Sequence, residues 1–178
     1  MWPIILLIVA VVVVVLIVIV AMQPAQFRIE RSTTITAQPA AVFAQVNELR
    51  NWENWSPWDK IDPQLKRMYD GPPAGVGAHY RWIGNKKVGE GQMTIAESRP
   101  AEMIRIKLEF LKPLKATNTA EFTFQPQRDQ TRISWAMTGK RNFVMKAFGM
   151  MMDMEKLVGG EFEKGLAQMK MVCESQGK

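Results

Sequence analysis

The side chains able to carry acid–base chemistry in this sequence are few. His79 is the only histidine and Cys173 the only cysteine among 178 residues. General acid–base catalysis needs a titratable group held against the substrate. Alternation along a strand puts His79 on the face opposite Tyr80 and Trp82. If these two aromatic residues face inward, His79 points outward, so we expect a surface role for it.

The remaining catalytic patterns are not present in the sequence. Glu97, Glu109 and Glu121 reach the interior only if a strand slips by one residue, so we expect solvated carboxylates. The sequence has no His/Cys cluster of metal-ligand spacing, no nucleophile elbow and no phosphate-binding glycine loop. We therefore predict no catalytic residue, no metal site and no cofactor.

Three tryptophans spaced three residues apart form the strongest local pattern. Trp52 and Trp55 share one face of a short helix, which Pro57 limits before Trp58. Rings of this size cluster for packing or for ligand contact. Two interpretations stay open and are compatible: a lid helix that fills one end of a barrel-like sheet, and an aromatic wall of a ligand cavity.

The elements that must position these residues are mainly strands. Apolar and polar side chains alternate between Phe27 and Gly139, and Gly89 and Gly91 permit a bulge that curves the sheet. A helix begins near Pro39, and a polar turn is predicted over 125–130. The predicted strands are 27–36, 65–69, 78–83, 88–97, 103–110, 116–124 and 131–138. Consecutive strands with short turns indicate an antiparallel meander.

The segment 160–174 predicts an amphipathic helix, entered through Gly159 and Gly160. Phe162, Leu166 and Met169 fall on one face at helical spacing, so the helix can cover the apolar face of the sheet. Gly165 lies inside it, where glycine costs about 1 kcal/mol relative to alanine. It either allows close approach to the sheet or leaves room for a ligand beside Leu166.

The N-terminal segment is an apolar stretch distinct from the domain that follows it. Ile4 to Met22 contains no polar side chain and spans roughly 28 Å as a helix, close to the hydrocarbon thickness of a bilayer. The run is longer than the usual apolar core of a signal peptide, and no Lys or Arg precedes it. We therefore favour an uncleaved membrane anchor over a cleaved signal. Arg28 and Arg31 follow the span, which favours a cytoplasmic domain; the extracytoplasmic side is the alternative.

The charge distribution limits the classes of partner that we expect this protein to bind. The net charge is +6, all charged residues follow the apolar segment, and Lys and Arg are scattered. We expect a solvated surface, with contact to anionic headgroups as the lesser alternative, and no nucleic-acid partner. The predicted division is an anchor and juncture over 1–25 and one domain over 26–178.

The methionine-rich stretch from Met145 to Met154 predicts packing or a lid, and its exposed part can also contact the bilayer.

Several stretches carry a resemblance to a known family. These are 35–43, 52–58, 75–78, Trp82, 89–91 and 162–166. The chain resembles the SRPBCC superfamily of START-like helix-grip proteins, closest to the polyketide cyclase/dehydrase and lipid-transport branch. The resemblance implies an α+β helix-grip fold, with a curved antiparallel sheet of about six or seven strands wrapped on a long C-terminal helix. It also implies a cavity for apolar ligands between sheet and helix.

The function expected from these observations is binding. The preferred hypothesis is a membrane-anchored, non-catalytic module for a hydrophobic or amphipathic small molecule, lipids included. The alternatives are a cyclase/dehydrase-like enzyme and a membrane-tethered scaffold for an unspecified protein partner. The candidate cavity residues are Trp52, Trp55, Trp58, Tyr80, Trp82, Ile106, Leu108, Phe122, Phe124, Trp135, Met137, Phe162, Leu166 and Met169.

Overall fold

The computed structural model describes residues 2–151 and 153–176, so Met152 of the methionine-rich stretch lies outside it. The helices are α1 (Trp2–Met22), α2 (Pro39–Asn47), α3 (Trp52–Trp55), α4 (Phe143–Met151) and α5 (Met154–Gln176). The strands are β1 (Gln26–Ile35), β2 (Lys66–Asp70), β3 (His79–Ile83), β4 (Glu90–Arg99), β5 (Met103–Lys112), β6 (Ala116–Gln127) and β7 (Gln130–Lys140). Short 3-10 turns cover Leu49–Asn51 and Trp58–Lys60.

The seven strands form one antiparallel sheet in the order β1-β7-β6-β5-β4-β3-β2. Strands β2 to β7 make the predicted meander, and β1 closes on β7 because its ladder runs from Gln26 with Lys140 to Ile35 with Thr131. Helix α5 packs against β1, α2 and α3. The predicted α+β helix-grip architecture is therefore confirmed.

The turn between β6 and β7 is shorter than the sequence predicted. The ladder continues through Pro126, paired with Thr131, to Gln127, paired with Gln130, so only Arg128 and Asp129 form the turn. The hairpin end is exposed and is held by pairing instead of burial. Because its residues are polar and exposed, the sequence predicted a turn where the structure has the ends of two strands.

Helix α5 begins about two turns before the predicted start. Asp153 caps it by accepting from the backbone N–H of Lys156, so the glycines 159–160 lie inside the helix and are not its entry. A Cβ at Gly159 would collide with the guanidinium of Arg31. That guanidinium donates to Glu155 and Glu163 and ties the first turns of α5 to β1. Long-range pairing of this kind leaves no periodic signal.

Two glycines, Gly89 and Gly91, lie at an irregularity where β4 begins to pair with β5. Gly89 has a φ of +72°, and the β4–β5 register shifts between Glu90 and Gly91. A Cβ on Gly91 would overlap the indole of Trp82 and lie 2.7 Å from the carbonyl oxygen of Glu109. Gly91 thus lets the Trp82 ring lie against the strand.

Gly91→Ala is expected to lower the free energy of unfolding by about 1–3 kcal/mol, because the ring and the backbone carbonyl cannot both move away. Urea unfolding followed by tryptophan fluorescence measures this. The matched control is Gly160→Ala in α5, where nothing lies within 4 Å of the added Cβ. The control should be stabilising by up to about 1 kcal/mol through helix propensity. Equal effects of the two variants would contradict the close approach at Gly91.

Cys173 lies on the buried face of α5, 4% exposed. Burial raises the pKa of its thiol to about 11. The native thiolate fraction at pH 8 is then about a hundredfold below that of an ordinary cysteine, so we expect slow reaction with an aromatic disulfide reagent until urea unfolds the domain. Because the unfolded thiol ionises first, the free energy of unfolding should fall between about pH 9 and pH 11, and Cys173→Ala should remove that component.

Helix α1 has 21 residues, and its most apolar window has a mean hydropathy of 3.9 with no residue of that window buried. At 1.5 Å per residue it is about 31 Å long. Length and composition therefore suffice for a membrane span, as they also would for a signal sequence.

Candidate functional site

The inner face of the sheet is the face covered by α2, α3 and α5. The ladders keep inward residues in rows, so Ile29, Met137, Ala120 and Ile106 are successive partners across four strands. Of the fourteen predicted cavity residues, twelve belong to one buried apolar core, and Trp58 and Leu108 are partly buried against it. From the sheet come Tyr80, Trp82, Ile106, Leu108, Phe122, Phe124, Trp135 and Met137; from the segments above it come Trp52, Trp55, Trp58, Phe162, Leu166 and Met169.

Trp135 is the centre of the aromatic packing. Its ring stacks on Phe162 with centroids 4.0 Å apart and on Phe122 at 4.9 Å. Trp55 and Trp58 meet it edge-on at 5.5 and 5.7 Å. The space between the middle of the sheet and α5 is therefore filled by rings that contact each other.

The tryptophan segment, residues 52–60, forms a cover over this packing. Trp52 donates its indole N–H to the carbonyl of Val46, and Trp55 donates to the carbonyl of Gln45. Trp55 is completely buried. Both side chains are thus fixed to the end of α2 by hydrogen bonds, as well as by packing.

Gly165 lies where α5 contacts both the sheet and the tryptophan segment. A Cβ there would lie 3.0 Å from Cζ3 of Trp135 and 3.1 Å from Cδ of Pro57. The glycine therefore lets α5 approach both the sheet and the tryptophan segment closely. The position that a side chain at residue 165 would occupy is thus already bounded by Trp135 and Pro57, and the close-approach alternative holds.

Two buried polar atoms lack a hydrogen-bond partner among the described residues. They are Nε1 of Trp135 and Oε1 of Gln45. A buried donor without an acceptor costs about 1–3 kcal/mol. The indole N–H of Trp135 is thus an unsatisfied donor inside an apolar layer.

The inner face is less covered at the end where β1 begins. Phe27, Gly139, Asn118 and Leu108 are successive partners in one row, and Phe27 and Leu108 are half-buried. We call the residues Phe27, Leu108, Phe110, Asn118 and Met137 the rim. Phe27 lies five residues after the end of α1, so the rim adjoins the apolar helix.

Asn118 is the polar member of the rim and was missed in the sequence. It is 8% exposed, and its amide Nδ2 has Met137 Sδ as its acceptor at 3.8 Å, a weak hydrogen bond. The signal was available, because extending the inward series Phe124, Phe122 and Ala120 by one step reaches Asn118. Asn118 is thus the one polar side chain in an inward-facing row that also contains Phe27 and Leu108.

A polar cluster joins the tryptophan segment to β2 and β3. The hydroxyl of Tyr69 donates to Glu53 at 2.7 Å, and Nε of Arg67 donates to Asp59 at 2.7 Å. Burial raises the pKa of the Tyr69 and Tyr80 phenols, and the nearby carboxylates raise them further. These groups hold the cover to the sheet, and neither phenol ionises near neutral pH.

The other titratable candidates lie on the outer face. His79 is half-buried there, with Nδ1 2.8 Å from Oγ1 of Thr94. Arg105 bridges Glu97 and Glu121 on the same face. The ladder register therefore keeps these carboxylates away from the inner face. Over residues 2–151 and 153–176, no cluster of three His, Cys, Asp or Glu side chains is arranged to hold a metal.

Two surface depressions are defined by described residues. A groove of about 390 Å³ follows the seam between β1 and α5, lined by Ser32, Thr33, Glu163, Leu166, Ala167, Lys170, Met171 and Glu174. A cleft of about 160 Å³ is lined by Leu49, Arg50, Tyr69, Asp70, Gly71, Pro72, Pro73, Ala78 and His79. Leu166 is the one predicted cavity residue that borders either depression. The seam is bridged where Lys170 donates to the Thr34 carbonyl and the Thr36 N–H donates to Glu174.

Known structures share this arrangement at low sequence identity. A protein of Mesorhizobium loti, MLL2253, has a TM-score of 0.61 and 14% identity over 84% of this chain and 98% of that chain. A protein of Chromobacterium violaceum, CV1439, has a TM-score of 0.59 and 16% identity over 85% and 99%. The di-domain ARO/CYC StfQ from the steffimycin biosynthetic pathway has a TM-score of 0.63 and 12% identity over 86% and 52%.

At these identities the structural neighbours establish the fold alone. No curated protein sequence matches the chain. The family described as polyketide cyclase / dehydrase and lipid transport matches residues 26–174, from the first residue of β1 to near the end of α5. The chain therefore belongs to the polyketide cyclase / dehydrase and lipid transport family, within the ligand-binding helix-grip fold that the resemblance implied.

Proposed function

We propose that this protein is a membrane-anchored binding module for a hydrophobic or amphipathic small molecule, with a membrane lipid as the leading class. Residues 1–25 serve as anchor and juncture, and residues 26–178 form the binding domain. The ligand enters at the rim and extends between the sheet and α5. The domain acts without catalysis or cofactor.

The observation that carries this proposal is the position of the rim. Phe27, Leu108 and Phe110 are half-buried apolar side chains on the inner face, at the end of the sheet that adjoins α1. A half-buried apolar edge next to a membrane span is suited to admit a ligand that partitions from the bilayer, because the ligand need not cross water.

Two polar atoms favour an amphipathic ligand. Asn118 offers an amide at the rim whose present acceptor is only a thioether, and Trp135 offers an unpaired indole N–H deeper in the interior. A ligand oxygen that accepts from either donor would replace a weak or missing hydrogen bond in an apolar environment. Such a bond contributes more than one that competes with water.

Deeper occupation requires the tryptophan segment to move, because the rings of Trp55 and Trp58 fill the space beside Trp135. Trp58 is the partly exposed tryptophan of the segment, and its 3-10 turn is attached to β2 by the hydrogen bond from Arg67 to Asp59.

An enzymatic cyclase or dehydratase role would need a free acid or base at the inner face. The carboxylates of this segment, Glu53 and Asp59, are instead engaged with Tyr69 and Arg67.

A fatty acid that carries a photoreactive diazirine tests the proposal with the full chain in its own membrane. Cells that express the protein are supplied with the probe and irradiated, and the cross-linked peptides are mapped by mass spectrometry. We expect cross-links in residues 116–128, the tryptic peptide that carries Asn118, in addition to α1. Cross-links confined to α1 would overturn ligand binding by the domain.

A matched pair of variants gives the control. Leu108→Arg places a charge at the rim and should remove cross-linking to residues 116–128 while leaving the α1 signal unchanged. Leu114→Arg changes a leucine that is 50% exposed in the β5–β6 loop and should leave both signals unchanged. Loss of the signal in both variants, or in neither, would contradict entry at the rim.

A further inference from the structure

Helix α4 is attached to the end of α1. The ammonium of Lys146 donates to the carbonyl of Ala21 at 3.0 Å, within the last turn of α1, where helix carbonyls lack partners. The backbone N–H of Arg141 donates to Ala25 at 2.7 Å, and its guanidinium lies 5.3 Å from the centroid of the Phe27 ring. The middle of α4 is thus held at the level where α1 ends.

The face of α4 that points away from the protein is apolar. Phe143, Val144, Phe148 and Met150 are 47–54% exposed, whereas Met145 and Lys146 on the opposite side are half-buried. At 100° per residue, Met150, Phe143, Ala147, Val144 and Phe148 fall within an arc of about 160° that contains no polar side chain. Helices of this kind have their apolar face covered in their working environment.

The occupant is indicated by position and by charge. If α1 crosses a bilayer, its last turn lies at the interface between headgroups and acyl chains, and the Lys146 contact puts α4 at the same depth. The sequence from Arg132 to Met152 contains no acidic residue, while Lys140, Arg141 and Lys146 flank the apolar stripe. Interfacial helices combine an apolar face with basic residues that contact lipid phosphates.

We propose that α4 docks on the bilayer, with Phe143, Val144, Phe148 and Met150 inserted below the headgroups. The inference rests on the membrane anchor of the proposed function and goes beyond it, since a tether alone leaves α4 in water. Docking of α4 fixes the orientation of the domain and holds the rim next to the lipid surface, because α4 follows β7 directly after Lys140.

Site-specific fluorescence tests this in the full chain, in nanodiscs of phosphatidylcholine and phosphatidylglycerol at about 3:1. An environment-sensitive dye is attached at Met150→Cys or Val144→Cys in a Cys173→Ala background. The matched control is Met171→Cys, since Met171 is 58% exposed on α5. It borders the groove with Ser32, Thr33 and Glu174, near the end of β1 away from α1. A dye at Val12→Cys reports whether α1 is in lipid.

We expect the dyes at residues 144 and 150 to be at least about threefold less quenched by aqueous iodide than the dye at residue 171, and to be quenched by lipids with a nitroxide on the acyl chain. Iodide quenching equal to that at residue 171 would overturn docking. Protection from both quenchers would also overturn it, because a protein partner or a second copy would then cover α4. In either of these cases, a dye at residue 12 that is exposed to lipid would leave the membrane anchor standing and overturn only the docking of α4. A dye at residue 12 that is exposed to water would overturn both the anchor and the docking.

Discussion

Leu166→Asp is expected to unfold the sheet domain or to leave it only marginally folded. Leu166 is 2% exposed on the buried face of α5. Truncation of a buried leucine alone costs about 2–5 kcal/mol, and the carboxylate adds an unpaired charge or a raised pKa. The sum approaches the whole stability of a typical domain, about 5–15 kcal/mol. Near-UV circular dichroism of the purified full chain, with urea unfolding, measures the loss.

The matched control for this variant is Met171→Asp on the same helix. Met171 is 58% exposed, so its replacement should change the free energy of unfolding by less than about 0.5 kcal/mol. The comparison separates burial from helix propensity, because aspartate is introduced into α5 in both variants. A Leu166→Asp protein that unfolds at the wild-type urea concentration would show that α5 is not held against the sheet.

Trp135→Ala is expected to lower the free energy of unfolding by about 3–5 kcal/mol, because it removes the ring that joins Phe122, Phe162 and the tryptophan segment. The deletion should also leave an apolar space between sheet and helix. Added indole should then raise the thermal midpoint of this variant and leave the wild-type midpoint unchanged, since a ligand stabilises only a state that binds it.

Trp58→Ala is the comparison for this prediction. Trp58 is partly exposed and meets Trp135 edge-on at 5.7 Å, so its truncation should be less destabilising and should show less rescue by indole. If indole stabilised the wild-type protein as well, the interior beside Trp135 would already accept a ring. A Trp135→Ala variant as stable as wild type would contradict the dense packing at this position.

The strands and their inner faces were predictable because side-chain alternation is a local property. Ile104 with Ile106, and Phe122 with Phe124, repeat every second residue and are buried as this period requires. The two misplaced boundaries have different causes. The end of β6 is an exposed polar hairpin held by backbone pairing of near neighbours, such as Gln127 with Gln130, so its composition matches that of a turn. The first turns of α5 are tied to Arg31, which lies 124 residues before Glu155, and local composition carries no record of such a partner.

The candidate site also has features that the sequence predicted and features that it did not. The sequence supplied the fourteen apolar residues, and twelve of them lie in one core. Asn118 was overlooked although alternation along β6 reaches it, but the row that it shares with Phe27 and Leu108 across four strands is visible only in the register of the sheet. The sequence also left the Gly165 alternatives undecided, because the distances to Trp135 and Pro57 depend on how α5 sits on the sheet.

By itself, the sequence determined the apolar N-terminal helix, the antiparallel sheet, the amphipathic C-terminal helix and the family, since each depends on residue type and spacing along the chain. Tertiary structure alone decided that aromatic rings fill the middle of the interior, that the rim adjoins α1 and that α4 presents an apolar face at the end of that helix. These features are relations between segments up to 125 residues apart, and only packing brings the segments together.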